Sequence, residues 1–260
     1  MLVKDLTDRK YPFLYADDLA TKARAAMRDR GLRVLPILNE HKRLLGVVSR
    51  TNIMTITSSV SPIRVKGIMS SPKFVATMDM DAYATLKEMI RLDEWYIPVT
   101  ASSHDSTYTG ILGLEAFIRS SLEKNFSNLS KPLSEIMANQ LLTCSSEDEV
   151  DNVWRLMQEQ SFAGLPVVKK GKLIGMVTQR DLLDTGVVFP GFEAKKGRFR
   201  APPKISSIMK TSVASLKSTA TIKEAAELML KRNIGRIPIV DDNDKLIGIV
   251  DREDIARVLL

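Results

Sequence analysis

The chain has 260 residues, 44% apolar and 27% charged, a balance that excludes a disordered or fibrous chain and suits one large domain or two ordinary ones. No apolar run reaches membrane-span length, the opening MLVKDLTDRK lacks a signal-peptide core, and one cysteine, Cys144, excludes an internal disulfide, so a cytoplasmic protein is expected. The 38 basic and 31 acidic residues leave a net charge of +7, which suits anionic partners.

Taken in chain order, the elements repeat. Four prolines, Pro36, Pro98, Pro166 and Pro238, sit in short β-runs, and 29 positions before them stand Thr7 (VKDLT), Met69 (VKGIM), Met137 (LSEIM) and Met209 (ISSIM). Downstream, the glycine of the next β-run is Gly46, Gly110, Gly175 or Gly248, at offsets of 10, 12, 9 and 10, so the turn between tolerates insertions. Each unit reads as a short extended segment such as VATM or LLTCS, a helix, two Val- and Ile-rich strands and a second helix, in the order β-α-β-β-α. Two first helices carry capping-box spacing, Ser146 with Glu149 and Thr221 with Glu224.

The units span 1–57, 65–123, 133–186 and 205–260. A unit of about 60 residues buries too little surface alone, so pairing into two modules within a mixed α/β (α+β) fold is expected. The joint 187–204 is basic: Lys195, Lys196, Arg198, Arg200 and Lys204 face one acid, Glu193, a local +4 of the total +7. Glycine and proline make it a loop, either a solvated linker or a phosphate-contacting segment.

The second helix of each unit opens on a recurring pair: Ser49 and Asn52, Gly113 and Ala116, Thr178 and Asp181, Asp251 and Asp254. Thr178 with Asp181, in TQRD, forms a short-armed capping box contributing about 1 kcal/mol. The same groups suit a ligand, because a helix start attracts phosphate and a neighbouring carboxylate accepts both hydroxyls of a ribose. Both readings stand on the residues alone.

The Ile-Met opening, the L/I-P-V/I strand and the G-h-h-T-x-x-D-L segment (h apolar) together resemble the cystathionine-β-synthase (CBS) domain family. Four tandem copies cover nearly the whole chain, a layout similar to that of the gamma subunit of AMP-activated protein kinase. The resemblance implies four β-α-β-β-α CBS repeats paired into two modules in a disc-like assembly, with no catalytic domain. It also implies adenosyl ligands (AMP, ADP, ATP or S-adenosylmethionine) in the clefts between paired repeats, with the aspartate of T-x-x-D on the ribose. Position by position, the third repeat matches in full with Thr178 and Asp181. The fourth keeps Asp254 but has Asp251 for the hydroxyl, the first offers Ser49 and the amide of Asn52, and the second keeps neither group. The expected order of sites is therefore third, fourth, first.

The resemblance also implies a basic residue ahead of the strand proline. Only the fourth repeat has one there, Arg236; its counterparts are Val34, Tyr96 and Gly164, and Arg33, one residue earlier than Val34, is able to serve similarly in the first. Gly235 replaces the histidine the family pattern would place there, which argues against a multi-phosphate centre. Arg180 and Arg252, inside the helix-start motifs, are further phosphate candidates. Leu165-Pro166 and Ile237-Pro238 are expected to define the adenine slot through their backbone. Trp95 and Tyr96 either stack on a base or fill the gap between repeats.

Catalytic chemistry finds no support. His41 and His104 fall in turns without a partner at metal-ligand spacing, Cys144 has no second cysteine, and no phosphate-cradling loop, nucleophile elbow or H-E-x-x-H occurs. The expectation is a ligand-sensing regulator with no required cofactor, passing nucleotide occupancy to an effector protein or through self-association. Two alternatives are a nucleic-acid binder using the Phe-flanked loop 189–204, with Lys195, Lys196, Arg198 and Arg200 on phosphates, and a ligand-free scaffold whose T-x-x-D positions are only caps.

Overall fold

Val- and Ile-rich runs around each proline and glycine set up four antiparallel hairpins. The computed structural model describes residues 1–54, 61–184 and 203–260, and the hairpins share one register: Pro36 faces Val47, Pro98 Ile111, Pro166 Met176 and Pro238 Ile249.

The first unit runs β1 (Leu14–Tyr15), α1 (Ala20–Arg30), β2 (Val34–Leu38), β3 (Leu44–Ser49) and α2 (Arg50–Met54). The second runs β4 (Ala76–Thr77), α3 (Ala82–Arg91), β5 (Tyr96–Thr100), β6 (Tyr108–Gly113) and α4 (Leu114–Glu123). In both, the short first strand pairs parallel to the hairpin's first strand, giving a three-stranded sheet. The third unit has α5 (Val150–Glu159), β7 (Gly164–Lys169), β8 (Lys172–Thr178) and α6 (Gln179–Asp184). The fourth has α7 (Ile222–Arg232), β9 (Arg236–Val240), β10 (Leu246–Asp251) and α8 (Arg252–Arg257). Here the expected first strand shrinks to one parallel bridge, Cys144 with Val167 and Leu216 with Ile239.

Each first helix begins where a paired unit supplies an acceptor. The first helical N–H donates to a carbonyl at the start of the neighbouring unit or in the segment leading into it: Ala20 to Ile63 at 2.8 Å, and Ala82 to Met1, Val150 to Pro203 and Ile222 to Lys131 at 2.9 Å. This satisfies one of the donors that a helix start leaves orphaned. It also corrects the expected Ser146–Glu149 capping box. Glu149 is itself the N-cap, without a side-chain cap bond, because Pro203 fixes the helix start at Val150. Ser146 lies upstream, where its carbonyl accepts from Ser206 at 2.9 Å. The Thr221–Glu224 box is present, with Glu224 Oε2 accepting from the Thr221 N–H at 2.6 Å.

The repeated glycines and Ile-Met openings meet each other across paired units. A Cβ on Gly175 would lie 3.0 Å from the Lys210 carbonyl and the Met209 sulfur, and one on Gly248 would lie 2.6 Å from the Met137 sulfur. The helices build two apolar cores that run the other way. One joins the second and fourth units through residues such as Leu86, Phe117, Met229 and Ile255. The other joins the first and third through Met27, Ile53, Trp154 and Leu182.

Most of 187–204, including Lys195, Lys196, Arg198 and Arg200, lies outside the described residues, as do the ends of the first and third units. No helix among the described residues is long and apolar enough to cross a membrane. Thr221→Ala is expected to lower unfolding free energy by about 1 kcal/mol. Ser146→Ala should stay within roughly 0.5 kcal/mol of the parent in the same denaturant titration.

Candidate functional site

TQRD folds as a cap. Asp181 Oδ2 accepts from the Thr178 N–H at 2.8 Å and from its hydroxyl at 2.6 Å, and the Asp181 N–H donates to Thr178 Oγ1 at 3.3 Å. The first unit repeats this with an amide: Asn52 Oδ1 accepts from the Ser49 N–H at 2.8 Å and its hydroxyl at 2.7 Å. In the fourth, Asp254 accepts from the Asp251 N–H at 2.8 Å while Asp251 caps α8 by accepting from the N–H groups of Glu253 and Asp254. The second unit places Glu115 beside Gly113 instead, where it accepts from Arg252 at 3.3 Å.

What separates the three is their surroundings. Asp181, only 4% exposed, and Thr178 line a chamber of about 440 Å³. Six arginines (Arg33, Arg50, Arg180, Arg232, Arg236 and Arg252) and Lys210 share its walls with two acids, Asp181 and Asp184. Val213, Ala214 and Ile234 add an apolar side. All four units contribute, the second through Tyr96.

Each cation is held differently. Arg50 closes the end of α1, donating to the carbonyls of Leu32 at 2.8 Å and Gly31 at 2.6 Å. Arg252, 3% exposed, crosses from the fourth unit to the Tyr96 hydroxyl at 2.9 Å and also reaches Asn233 at 3.2 Å. Arg180 faces Asp184 at 3.7 Å, and Lys210 lies 3.8 Å from Asp181 Oδ1. Arg236 donates to the Gly164 carbonyl at 3.2 Å. Arg33 lies over the Trp95 ring, 4.3 Å from its centroid, with Arg236 at 5.8 Å. Trp95 is anchored in turn by its indole N–H on Glu253 at 3.3 Å. Burial and the guanidiniums of Arg236, Arg50 and Arg252 pull Arg33 down to about 9, against the opposing influence of Tyr96. Burial, then Arg180, pulls Arg50 down to about 10.

Arg33 arrives from the first unit beside Arg236, the position its place ahead of Val34 allows. Gly235 makes room for it, because a Cβ at 235 would fall on the Arg33 guanidinium and lie 2.9 Å from Trp95. The glycine therefore does not argue against a multi-phosphate centre. Arg50, Lys210 and Arg232 were not anticipated. For Arg50 the signal was available, as it follows Ser49 just as Arg252 follows Asp251.

The remaining expected residues disperse. Ser49 and Asn52 line a neighbouring cleft of about 670 Å³ that shares Arg33, Arg236 and Trp95. Leu165 and Pro166 line a cavity of about 100 Å³ with Asp251, well below the roughly 300–1,000 Å³ of ligand pockets. Ile237, Pro238 and Asp254 line none of these three. Of the backbones expected to define the adenine slot, the Pro166 carbonyl accepts from the Cys144 N–H at 3.0 Å and the Pro238 carbonyl from the Leu216 N–H at 3.1 Å. Each cavity instead joins the helix-start motif of one unit to the strand entry of its partner: Asp181 with Gly235-Arg236, and Asp251 with Gly164-Leu165.

The CBS domain profile matches residues 3–58, 133–187 and 205–260. The chain belongs to the CBS domain family. Residues 65–123 share the element order of these matched CBS repeats. Protein MJ1225 of Methanocaldococcus jannaschii is 22% identical over 275 residues, covering 98% of both chains. Its crystal structure, of a protein proposed as an archaeal homolog of g-AMPK, matches with a TM-score of 0.87 at 20% identity over 100% of each chain. A Pyrococcus horikoshii protein matches over the same full extent with a TM-score of 0.68 at 20% identity. The inosine-5'-monophosphate dehydrogenase of M. jannaschii is 33% identical over 128 residues, which are 49% of this chain and 23% of that enzyme.

Burial, and after it the repulsion of Asp251, pushes the Asp254 carboxyl up to about 7. The folded CBS repeat thus holds this proton more tightly than the unfolded chain, whose aspartates titrate near about 3.9. Stability contributed below that value is lost as pH rises toward 7. Asp254→Asn keeps an oxygen for the Asp251 N–H, as Asn52 does for Ser49. It should raise the melting temperature at pH 8 by roughly 2–4 °C, about 1 kcal/mol for this size, with the gain vanishing near pH ~4 in thermal scans.

Proposed function

We propose that the chain is a regulatory sensor of adenosyl ligands, of the AMP, ADP, ATP or S-adenosylmethionine class, with the chamber between the third and fourth repeats as its principal site. One observation carries this reading: the buried Asp181 carboxylate, with the Thr178 hydroxyl, shares a 440 Å³ chamber with a cluster of guanidiniums. A carboxylate beside cations is what a ribose phosphate requires, since the diol donates to the acid and the phosphate accepts from arginine. Val213, Ala214 and Ile234 offer the apolar surface that a purine needs.

The CBS family is regulatory, and the work assigned here is binding without bond-making. The chamber takes residues from all four repeats, so a ligand in it touches both modules. Differential affinity for two arrangements of those modules is then enough to transmit occupancy to an effector protein or to a second copy in the cytoplasm.

The test is thermal unfolding with AMP, ADP, ATP and S-adenosylmethionine, on the parent and on Asp181→Asn. The asparagine keeps the capping acceptor and removes the charge, so its ligand-free melting temperature should stay within about 2 °C of the parent. A ligand at one hundred times its Kd should stabilise the parent by about 2.7 kcal/mol, and the variant should lose most of that. Absence of any shift in the parent, or an undiminished shift in the variant, would overturn the reading.

A further inference from the structure

We propose that Tyr11 is a built-in occupant of the cleft of the second repeat: its ring and hydroxyl fill the end of that cleft at the strand entry, so the cleft is completed by the chain's own side chain and not by a ligand. This holds whatever the chamber binds.

Position in the repeat puts Tyr11 there. The residue four places after each opening anchor, Thr7, Met69, Met137 and Met209, is Tyr11, Lys73, Leu141 or Val213. Val213 lines the chamber, Lys73 the cleft of about 670 Å³ and Leu141 the cavity of about 100 Å³. The backbone exchange of Asp8 with Ile111 matches that of Lys210 with Met176, so Tyr11 enters the second cleft as Val213 enters the chamber. The outcomes differ. The chamber runs from its helix start at Thr178 and Asp181 to the strand entry at Gly235 and Arg236. In the second cleft a groove of about 870 Å³ follows Asp8, Ile111, Gly113 and Ala116, but neither Arg33 nor Val34 of the strand entry lines it, and nor does Tyr11.

The contacts of Tyr11 are those of a held ligand. Its hydroxyl donates to the carbonyl of Val34, the first residue of β2, at 2.9 Å. Its ring lies 6.2 Å from that of Tyr96, with 34° between the planes. Burial, and after it Tyr96 and Glu115, holds its proton above the ordinary phenol range, so the donor stays neutral. A tyrosine combines apolar ring area with one polar handle, which is what a flat ligand group would bring to this place. At the other end of the cleft the helix start carries Gly113 and Ala116, without the polar pair of the other three repeats.

The test is thermal unfolding with and without p-cresol, the tyrosine side chain as a free molecule, on the parent, Tyr11→Ala and Tyr11→Phe. Tyr11→Ala should melt about 10 °C below the parent. It should regain about 3 °C or more when p-cresol is present at roughly ten times its Kd. The parent and Tyr11→Phe, in which the cleft is still filled, should show no such gain. If Tyr11→Ala does not fold alone, p-cresol present during refolding should restore its cooperative transition. Neither gain nor restoration in Tyr11→Ala would overturn the proposal, as would an equal gain in the parent or in Tyr11→Phe. Because p-cresol is not an adenosyl compound, that result would leave the reading of the chamber standing, and failure of the chamber to bind nucleotide would leave this one.

Discussion

The backbone exchange between paired repeats is the interaction on which the rest depends. Met176 and Lys210 trade N–H···O=C bonds at 2.9 and 2.8 Å, and Val47 with Ser70, Ile111 with Asp8 and Ile249 with Ala138 do the same. Each hairpin edge that would otherwise stand open is thereby covered by the opening segment of its partner. The invariant spacing from that segment to the strand proline follows, because an insertion between them would break the exchange and the helix start together. The cleft is a by-product. Pairing brings the second helix of one repeat to the strand entry of the other, and the space between becomes a site or a void according to the side chains that reach it.

Apolar packing runs crosswise to this exchange. Backbone bonds tie the first repeat to the second and the third to the fourth, while the cores tie first to third and second to fourth. The cationic chamber draws on all four repeats. Such a concentration of guanidiniums gives the fold nothing by itself, since buried like charges oppose one another and even a paired buried charge adds little net stability. The two cores hold the modules together against it. Arg252 also works as a strut, with its bonds to Tyr96 and Glu115 crossing between modules.

Architecture was legible in the sequence wherever a local rule set it. The proline spacing, the hairpins, the Thr221 cap and the pairing of units followed from residues close together in the chain. The misplaced start of α5 shows where such rules stop, because the acceptor that selects Val150 is the Pro203 carbonyl, in the segment leading into the partner repeat. Arg33 teaches the same lesson. Aligned with its own repeat it stands one place out of register, and only the packing of the first repeat against Gly235 of the fourth makes it central. Gly235, where the family pattern would place a histidine, is the gap that admits another repeat's arginine.

TQRD is a cap whose carboxylate carries a charge that the cap does not need. The capping bonds of Asp181 fall on Oδ2, while Oδ1 is the atom nearest Lys210. Asn52 makes the same capping bonds with no charge, so the helix does not require a carboxylate. Asp254 shows what a buried carboxylate costs in the wrong company: beside Asp251 and Glu253 it holds its proton up to about 7 and lines none of the cavities around the chamber. Asp181 has the same local geometry but faces a chamber lined by cations. The charge that the cap can do without faces that cluster of cations, and the placement comes from the partner repeat as much as from the motif.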